Sequence, residues 1–127
     1  MMKRVINTDK APAPIGPYNQ AILVNGMLFI SGQIAINPGT NELVLESLEK
    51  ETHQVLTNLG AILEEVGFTF EDVVKTTIFL SDMSFFPKVN EIYGLYFTGD
   101  FPARETVAVA GLPKGVNVEI SATAIKV

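Results

Sequence analysis

Between Val116 and Ile125 apolar and polar residues alternate, with Val118, Ile120, Ala122 and Ala124 on one side and Asn117, Glu119, Ser121 and Thr123 on the other. Successive side chains of a strand point to opposite faces, so this segment is expected as a strand with one face buried. That commits the chain to a sheet covered on one side, and two segments have the periodicity to cover it. From Ser47, the expected N-cap, apolar residues recur at Leu48, Val55, Leu56, Leu59, Ile62, Leu63 and Val66, one face of a helix that Gly67 stops. A second helix is expected with Ser84 as N-cap, Pro87 in its first turn, a buried stripe of Phe86, Val89, Ile92, Tyr93 and Tyr96, and Gly99 and Pro102 closing it.

The remaining apolar runs read as strands. Ala21 to Val24 and Met27 to Ile30 flank Asn25-Gly26, a hairpin signal because a type I′ turn needs positive φ at both central residues. The second run continues through Ser31-Gly32-Gln33 to Ile36 and ends at Asn37-Pro38-Gly39. Val73 to Leu80 and Thr106 to Ala110 complete the set, giving the order strand, strand, helix, strand, helix, strand, strand. Two amphipathic helices on one face of a mainly antiparallel sheet make an α+β domain, expected to be a single one over residues 1–127. The opposite face, which carries Glu119 and the small polar groups, must meet solvent or another subunit.

Composition removes several functions. With no cysteine, a disulfide framework, a thiol nucleophile and a thiolate zinc site are excluded. The single histidine, His53, leaves no basis for a histidine metal site or a triad and is expected at a helix surface or interface; no metal is expected. A formal net charge of -5 with scattered basic residues disfavours nucleic acid, which is bound mainly through clustered lysine and arginine. Met1-Met2-Lys3-Arg4 is basic, but Val5 to Gly16 holds Asn7, Asp9, Lys10, Pro12 and Pro14 and is no signal-peptide core. Ala11 to Asn41 lacks charge, yet Pro, Gly, Asn and Gln interrupt it too often for a membrane span of about 20 apolar residues. A soluble, cytoplasmic protein with no membrane partner is expected.

Phe101-Pro102-Ala103-Arg104-Glu105-Thr106 is the most specific local feature. Pro102 restricts the approach to Arg104, one of only two arginines. A held guanidinium suits a carboxylate, because its planar fork matches two oxygens; it also suits a surface ion pair. Strand alternation puts Arg104 and Thr106 on one side and Glu105 on the other, so Glu105 should not neutralise a clamp. Glu119, between Val118 and Ile120, is either a solvated edge carboxylate or, partly desolvated, a general base near neutral pH. Tyr18 either donates to a ligand or packs with its hydroxyl outward. Ser31-Gly32 offers a hydroxyl and an approachable backbone, but a serine nucleophile lacks its base and acid. No glycine-rich phosphate loop is present.

Ala11 to Ala21 (APAPIGPYNQA), Leu28 to Gln33 (LFISGQ), Asn90 to Tyr93 and above all Phe101 to Ile120 (FPARETVAVAGLPKGVNVEI) closely resemble the Rid family of imine deaminases, over nearly the whole chain. The resemblance implies a homotrimer of chorismate-mutase-like α+β subunits that pack their open sheet faces together and leave three clefts between subunits. It implies that Arg104 binds the substrate carboxylate and that Glu119 positions or activates the hydrolytic water. Tyr18, Ser31, the Gly32 backbone and the Thr106 backbone would line the pocket, and Asn90 would support it. Two positions depart from the common pattern: Thr106 stands where many members have Cys, and Glu105 where Ser or Thr is commoner. A main-chain contact at 106 should survive the first change, and the second could shift substrate preference.

The implied reaction is hydrolysis of a 2-imino acid to a 2-keto acid and ammonia. Because C2 of the imine is already electrophilic, orientation and a placed water suffice, without cofactor or covalent intermediate. A non-catalytic trimeric binder or sensor of 2-keto acids and other small carboxylates would use the same Arg104 but would not need Glu119. A ribonuclease, the older description of some relatives, fits poorly with an acidic chain that has no basic stripe.

Overall fold

The computed structural model describes residues 2–126, so Met1 and Val127, which the expected domain span includes, lie outside the described residues. Among the described residues there are eight strands and two α-helices: β1 Arg4–Ile6, β2 Ala21–Val24, β3 Met27–Gln33, β4 Ile36–Asn37, β5 Glu42–Leu43, α1 Leu48–Glu65, β6 Val73–Leu80, α2 Phe86–Gly94, β7 Ala103–Ala108 and β8 Val118–Ile125. Six of the strands form one sheet in the order β1-β2-β3-β8-β6-β7, and β4 and β5 form a small ribbon. All pairs in the large sheet are antiparallel except β6 with β7, which is parallel.

The local signals that fixed these elements are visible in the backbone. Asn25 and Gly26 adopt φ of 50° and 74°, the left-handed pair that a type I′ turn requires. Ser47 caps α1 by accepting the Lys50 N–H at 3.1 Å. At the other end Gly67, with φ of 77°, donates to Glu64 O at 3.0 Å while Phe68 donates to Leu63 O at 2.9 Å, the paired bonds of a Schellman stop. The expected stripe of α1 is buried at Val55, Leu56, Leu59, Ile62 and Leu63, and that of α2 at Val89, Ile92 and Tyr93. Both helices pack on the face formed by Leu28 and Ile30 of β3, Ile78 and Leu80 of β6, and Val118, Ile120, Ala122 and Ala124 of β8.

Several sequence expectations need correction. Ser84 is not the N-cap of α2. Phe85 stands at that position and makes no side-chain cap bond; Asp82, whose carboxylate accepts the Ser84 N–H at 2.8 Å, caps instead the 3-10 turn over Met83–Phe85 that leads into α2. α2 ends at Gly94, before Tyr96, so neither Gly99 nor Pro102 terminates it. The strand expected from Thr106 begins at Ala103, which places Arg104 inside it, and the last strand begins at Val118. The run from Met27 to Ile36 is broken: the β3–β8 register shifts between Ile30 and Gln33, and Ile36 belongs to the β4–β5 ribbon. The edge strand β1 was not expected.

No helix among the described residues covers the opposite face of the sheet. Ser121 and Thr123 lie there with exposed Val5, Phe29 and Val107 and the Lys75–Glu105 ion pair at 3.0 Å. Among the described residues no helix is long and apolar enough to cross a membrane.

Candidate functional site

Arg104 lies beside Thr76 in the β6–β7 register, and Thr76 is a buried residue of the helix-covered face. Its guanidinium therefore emerges toward α2, where three side chains fix it. Nη1 donates to Asn90 Oδ1 at 2.8 Å, and Cζ stands 5.0 Å from the Tyr93 ring centre and 5.5 Å from that of Phe86. Contact with the faces of two rings suits a guanidinium better than an ammonium. Tyr93 is itself anchored, sharing a 2.7 Å hydrogen bond with the Thr76 hydroxyl, and burial pushes its phenol above its ordinary pKa, so it stays neutral beneath the cation.

No carboxylate pairs with Arg104 among the described residues. Glu105 points to the other face, held by the Lys75 ammonium and the Thr77 hydroxyl at 2.8 Å, which together keep its carboxyl below the usual carboxylate range. The guanidinium instead borders a hollow of about 420 Å³ walled by Asn90, Tyr93, Gly94, Phe101 and Pro102. Thr106 shares the Arg104 side of β7, an edge strand of the sheet. Val109 N–H donates to Leu80 O at 2.9 Å, so backbone alternation turns the Thr106 N–H away from β6 toward the free edge. The Thr106 hydroxyl is buried without a hydrogen-bond partner among the described residues.

Glu119 belongs to the opposite face. Its register partner is Phe79, three residues beyond Thr76 on β6, and three residues along a strand reverse the direction of the side chain. Burial raises its pKa above the ordinary carboxylate value. The carboxylate lies over Gly32: a Cβ built there would come within 2.8 Å of Oε2. Gly32 sits where the β3–β8 register shifts, so the bulge and the missing side chain together make room for the carboxylate. A hollow of about 40 Å³ beside it is lined by residues including Tyr18, Gly32, Gln33 and Pro113. The Tyr18 hydroxyl accepts the Ile15 N–H at 3.3 Å.

Six of the seven candidate residues thus fall into two groups, with Thr106 on the Arg104 side of β7. Tyr18, Gly32 and Glu119 share one hollow and Asn90 and Arg104 another, while Ser31 borders a shallow depression on the open face, its hydroxyl donating to Asn19 O at 2.7 Å. His53 is remote from both, its Nδ1 2.6 Å from the Tyr96 hydroxyl. Sequence reasoning missed Gln20, whose buried amide donates to Thr8 O, Ala11 O and Pro12 O and so shapes the loop that carries Tyr18. Its only signal was its place at the end of the APAPIGPYNQA stretch. Tyr93 was expected only as a core residue, and its second role as the floor under Arg104 had no local signal. No group of metal-ligating side chains is present among the described residues.

A family model described as Endoribonuclease L-PSP matches residues 8–126. A RutC family protein of Synechocystis is 54% identical over 127 residues, covering 98% of each chain. The human 2-iminobutanoate/2-iminopropanoate deaminase is 49% identical over 126 residues, 99% of this chain and 92% of that one. A solved structure of a Rid family protein from Yersinia pestis is 52% identical, covers 98% of this chain and 100% of that one, and superposes with a TM-score of 0.95. With matches of this extent the chain belongs to the Rid family, whose family model carries the description Endoribonuclease L-PSP.

Proposed function

We propose that the protein hydrolyses 2-imino acids to 2-keto acids and ammonia in the cytoplasm, as a homotrimer whose active sites are shared between adjacent subunits. The observation that carries this reading is the division of labour between the sheet faces. A fixed guanidinium without a carboxylate partner among the described residues stands on one face, and a partly desolvated carboxylate on the other. A small substrate cannot touch both from within one chain. It can do so if the Glu119 face of a neighbour closes over the Arg104 hollow, an arrangement that repeats three times around a closed ring. Relatives named 2-iminobutanoate/2-iminopropanoate deaminase support the choice of reaction.

The chemistry then follows from the side chains. Arg104 and the free-edge Thr106 N–H take the substrate carboxylate and so aim C2 at Glu119. Glu119 accepts a proton from water as the oxygen attacks C2 of the C=N bond, giving a carbinolamine. Proton transfer to the nitrogen releases ammonia, and loss of the hydroxyl proton leaves the keto acid. A hollow of about 40 Å³ admits water beside the carboxylate but not the carbon skeleton, so the rest of the cavity is the neighbour's. The acidic chain suits this anion-binding role poorly except at Arg104, and suits RNA less still.

The test couples the purified protein to an amino-acid oxidase or dehydratase and follows decay of the imine. Acceleration is expected; keto-acid binding without acceleration would replace the deaminase by a sensor. The shared site is tested by refolding Arg104→Ala chains together with Tyr18→Ala chains. Partial return of activity is expected, and a fully active monomer or a dead mixture would overturn it.

A further inference from the structure

Glu51 is fully buried in the first turn of α1, at a position where an apolar residue would pack with less penalty. No cation pairs with it among the described residues. Its carboxylate is satisfied by three N–H groups: Oε2 accepts Asn117 N–H at 2.8 Å and Val118 N–H at 3.2 Å, and Oε1 accepts Asn117 Nδ2 at 2.8 Å. Every one of these donors belongs to the two residues immediately before Glu119. From the end of β6, Ser81 N–H donates to Asn117 O at 3.0 Å, so the start of β8 is gripped from both sides.

Glu119 itself makes no side-chain hydrogen bond with any described residue, and its carboxylate rests against Gly32. Its position is therefore dictated by the backbone that carries it. The loop ahead of that backbone contains Pro113, which walls the Glu119 hollow, and turns through Lys114 and Gly115 at φ of 56° and 68°. We infer that Glu51 is a positioning residue for the hydrolysis, setting the height at which β8 begins and hence the seat of Glu119 on Gly32. This rests on the deaminase reading proposed above.

The test is a double-mutant cycle. Glu51→Leu removes both acceptor oxygens and with them all three hydrogen bonds, whereas Glu51→Gln keeps an oxygen for the two backbone N–H groups, and an Asn117 amide turned over can accept from the new NH2. With wild-type Glu119, Glu51→Leu is expected to lower kcat roughly 10- to 100-fold with KM little changed, the scale of a displacement of about 1 Å, and Glu51→Gln to restore most of it. In a Glu119→Gln background Glu51→Leu should cost nothing further, because the group it positions is gone. Equal losses in both backgrounds would make Glu51 a structural residue only and overturn the inference, as would an unchanged kcat in Glu51→Leu. If Glu51→Leu does not fold, Asn117→Ala takes its place, removing the Oε1 donor together with the long 3.4 Å bond from the Ser81 hydroxyl while leaving both backbone N–H donors: a smaller loss that also vanishes in the Glu119→Gln background supports the inference, and a loss that persists there overturns it. A wild type inactive on every 2-imino acid removes the deaminase reading and this inference together; an active wild type without coupling between positions 51 and 119 removes only the latter.

Discussion

Arg104 and Glu119 are held by opposite means. Arg104 sits on an edge strand and is fixed through its side chain, by Asn90 and by the Tyr93 and Phe86 rings. Glu119 sits on a central strand and is fixed through its backbone, with Gly32 beneath the carboxylate. A binding cation can be presented at the rim because its charge never changes, and rings on two sides limit its freedom without neutralising it. A base must instead be kept from water and from counterions, because solvation or an ion pair would return its pKa to the ordinary range. Changes to the first group should therefore reach substrate capture, and changes to the second the chemical step.

The largest expected effect is at Arg104. Arg104→Ala should reduce deamination to background while thermal unfolding stays near that of the wild type, since the guanidinium contributes no ion pair to the fold. Arg104→Lys should rescue poorly, because a compact ammonium loses both the fork and the ring contacts. Steady-state assay of both variants checks this, and wild-type turnover in Arg104→Ala would dissolve the contrast between the two groups.

Glu119→Gln should slow hydrolysis by about two to four orders of magnitude while keto-acid binding, measured by titration, persists. The acid limb of the wild-type pH–rate profile should lie above the usual carboxylate value of about 4.3 and disappear in the variant. The same shift has a sign in stability. The folded pKa is raised, so the contribution of Glu119 is full below the unfolded pKa and is lost as pH rises through the folded one. Glu119→Gln should accordingly gain stability over the wild type at neutral pH and show no gain near pH 3, which unfolding at the two pH values measures. Equal loss of binding and rate would assign Glu119 to the fold.

Much of this contrast could be read before the fold was known, and what could not was non-local. The alternation of Val118 to Ala124 announces which face Glu119 takes, and the Arg104/Glu105 alternation separates clamp from counterion, because a period of two is a property of the strand itself. Ser47 and Gly67 mark α1 for the same reason, since caps act on their own helix end. The short strands β1, β4 and β5 carry too few residues for periodicity to register. Asp82 and Ser84 are both good cap residues, yet Asp82 caps the 3-10 turn and Phe85 stands at the N-cap of α2. The hydrogen bonds of Glu51 and Gln20 reach partners 66 and 8 to 12 positions away, and sequence spacing contains nothing about such a pairing. The separation of Arg104 from Glu119 follows from strand order, which places β6 between their strands.

A smaller effect is expected at Gly32. The atoms that an added Cβ would meet belong to the Glu119 side chain, which can swing aside, and Gly32 does not have the positive φ that would strain alanine. Gly32→Ala should thus fold with nearly wild-type stability but lose roughly 10- to 100-fold in kcat as the carboxylate leaves its seat. A Gly32→Ala protein that unfolds early yet retains its specific activity would mean that the glycine serves the bulge and not the base.

The smallest expected effect is at Thr106, where the two groups meet a third kind of feature. Its hydroxyl is buried with no partner among the described residues, and an unsatisfied buried polar group carries a penalty of about 1–3 kcal/mol. The proposed contact at this position runs through the backbone N–H, which valine leaves in place. Thr106→Val replaces the hydroxyl by a methyl of similar shape and keeps the β-branched form that suits a strand. A gain of up to about 1 kcal/mol in stability is expected, with kcat and KM within about twofold of the wild type, because partial relaxation around the site lowers the full penalty. Denaturant unfolding and the imine assay read the two quantities separately. A rise in KM with stability unchanged would show that the hydroxyl turns toward the ligand when the neighbouring subunit closes the cavity, which would make Thr106 a side-chain contact of the Arg104 group.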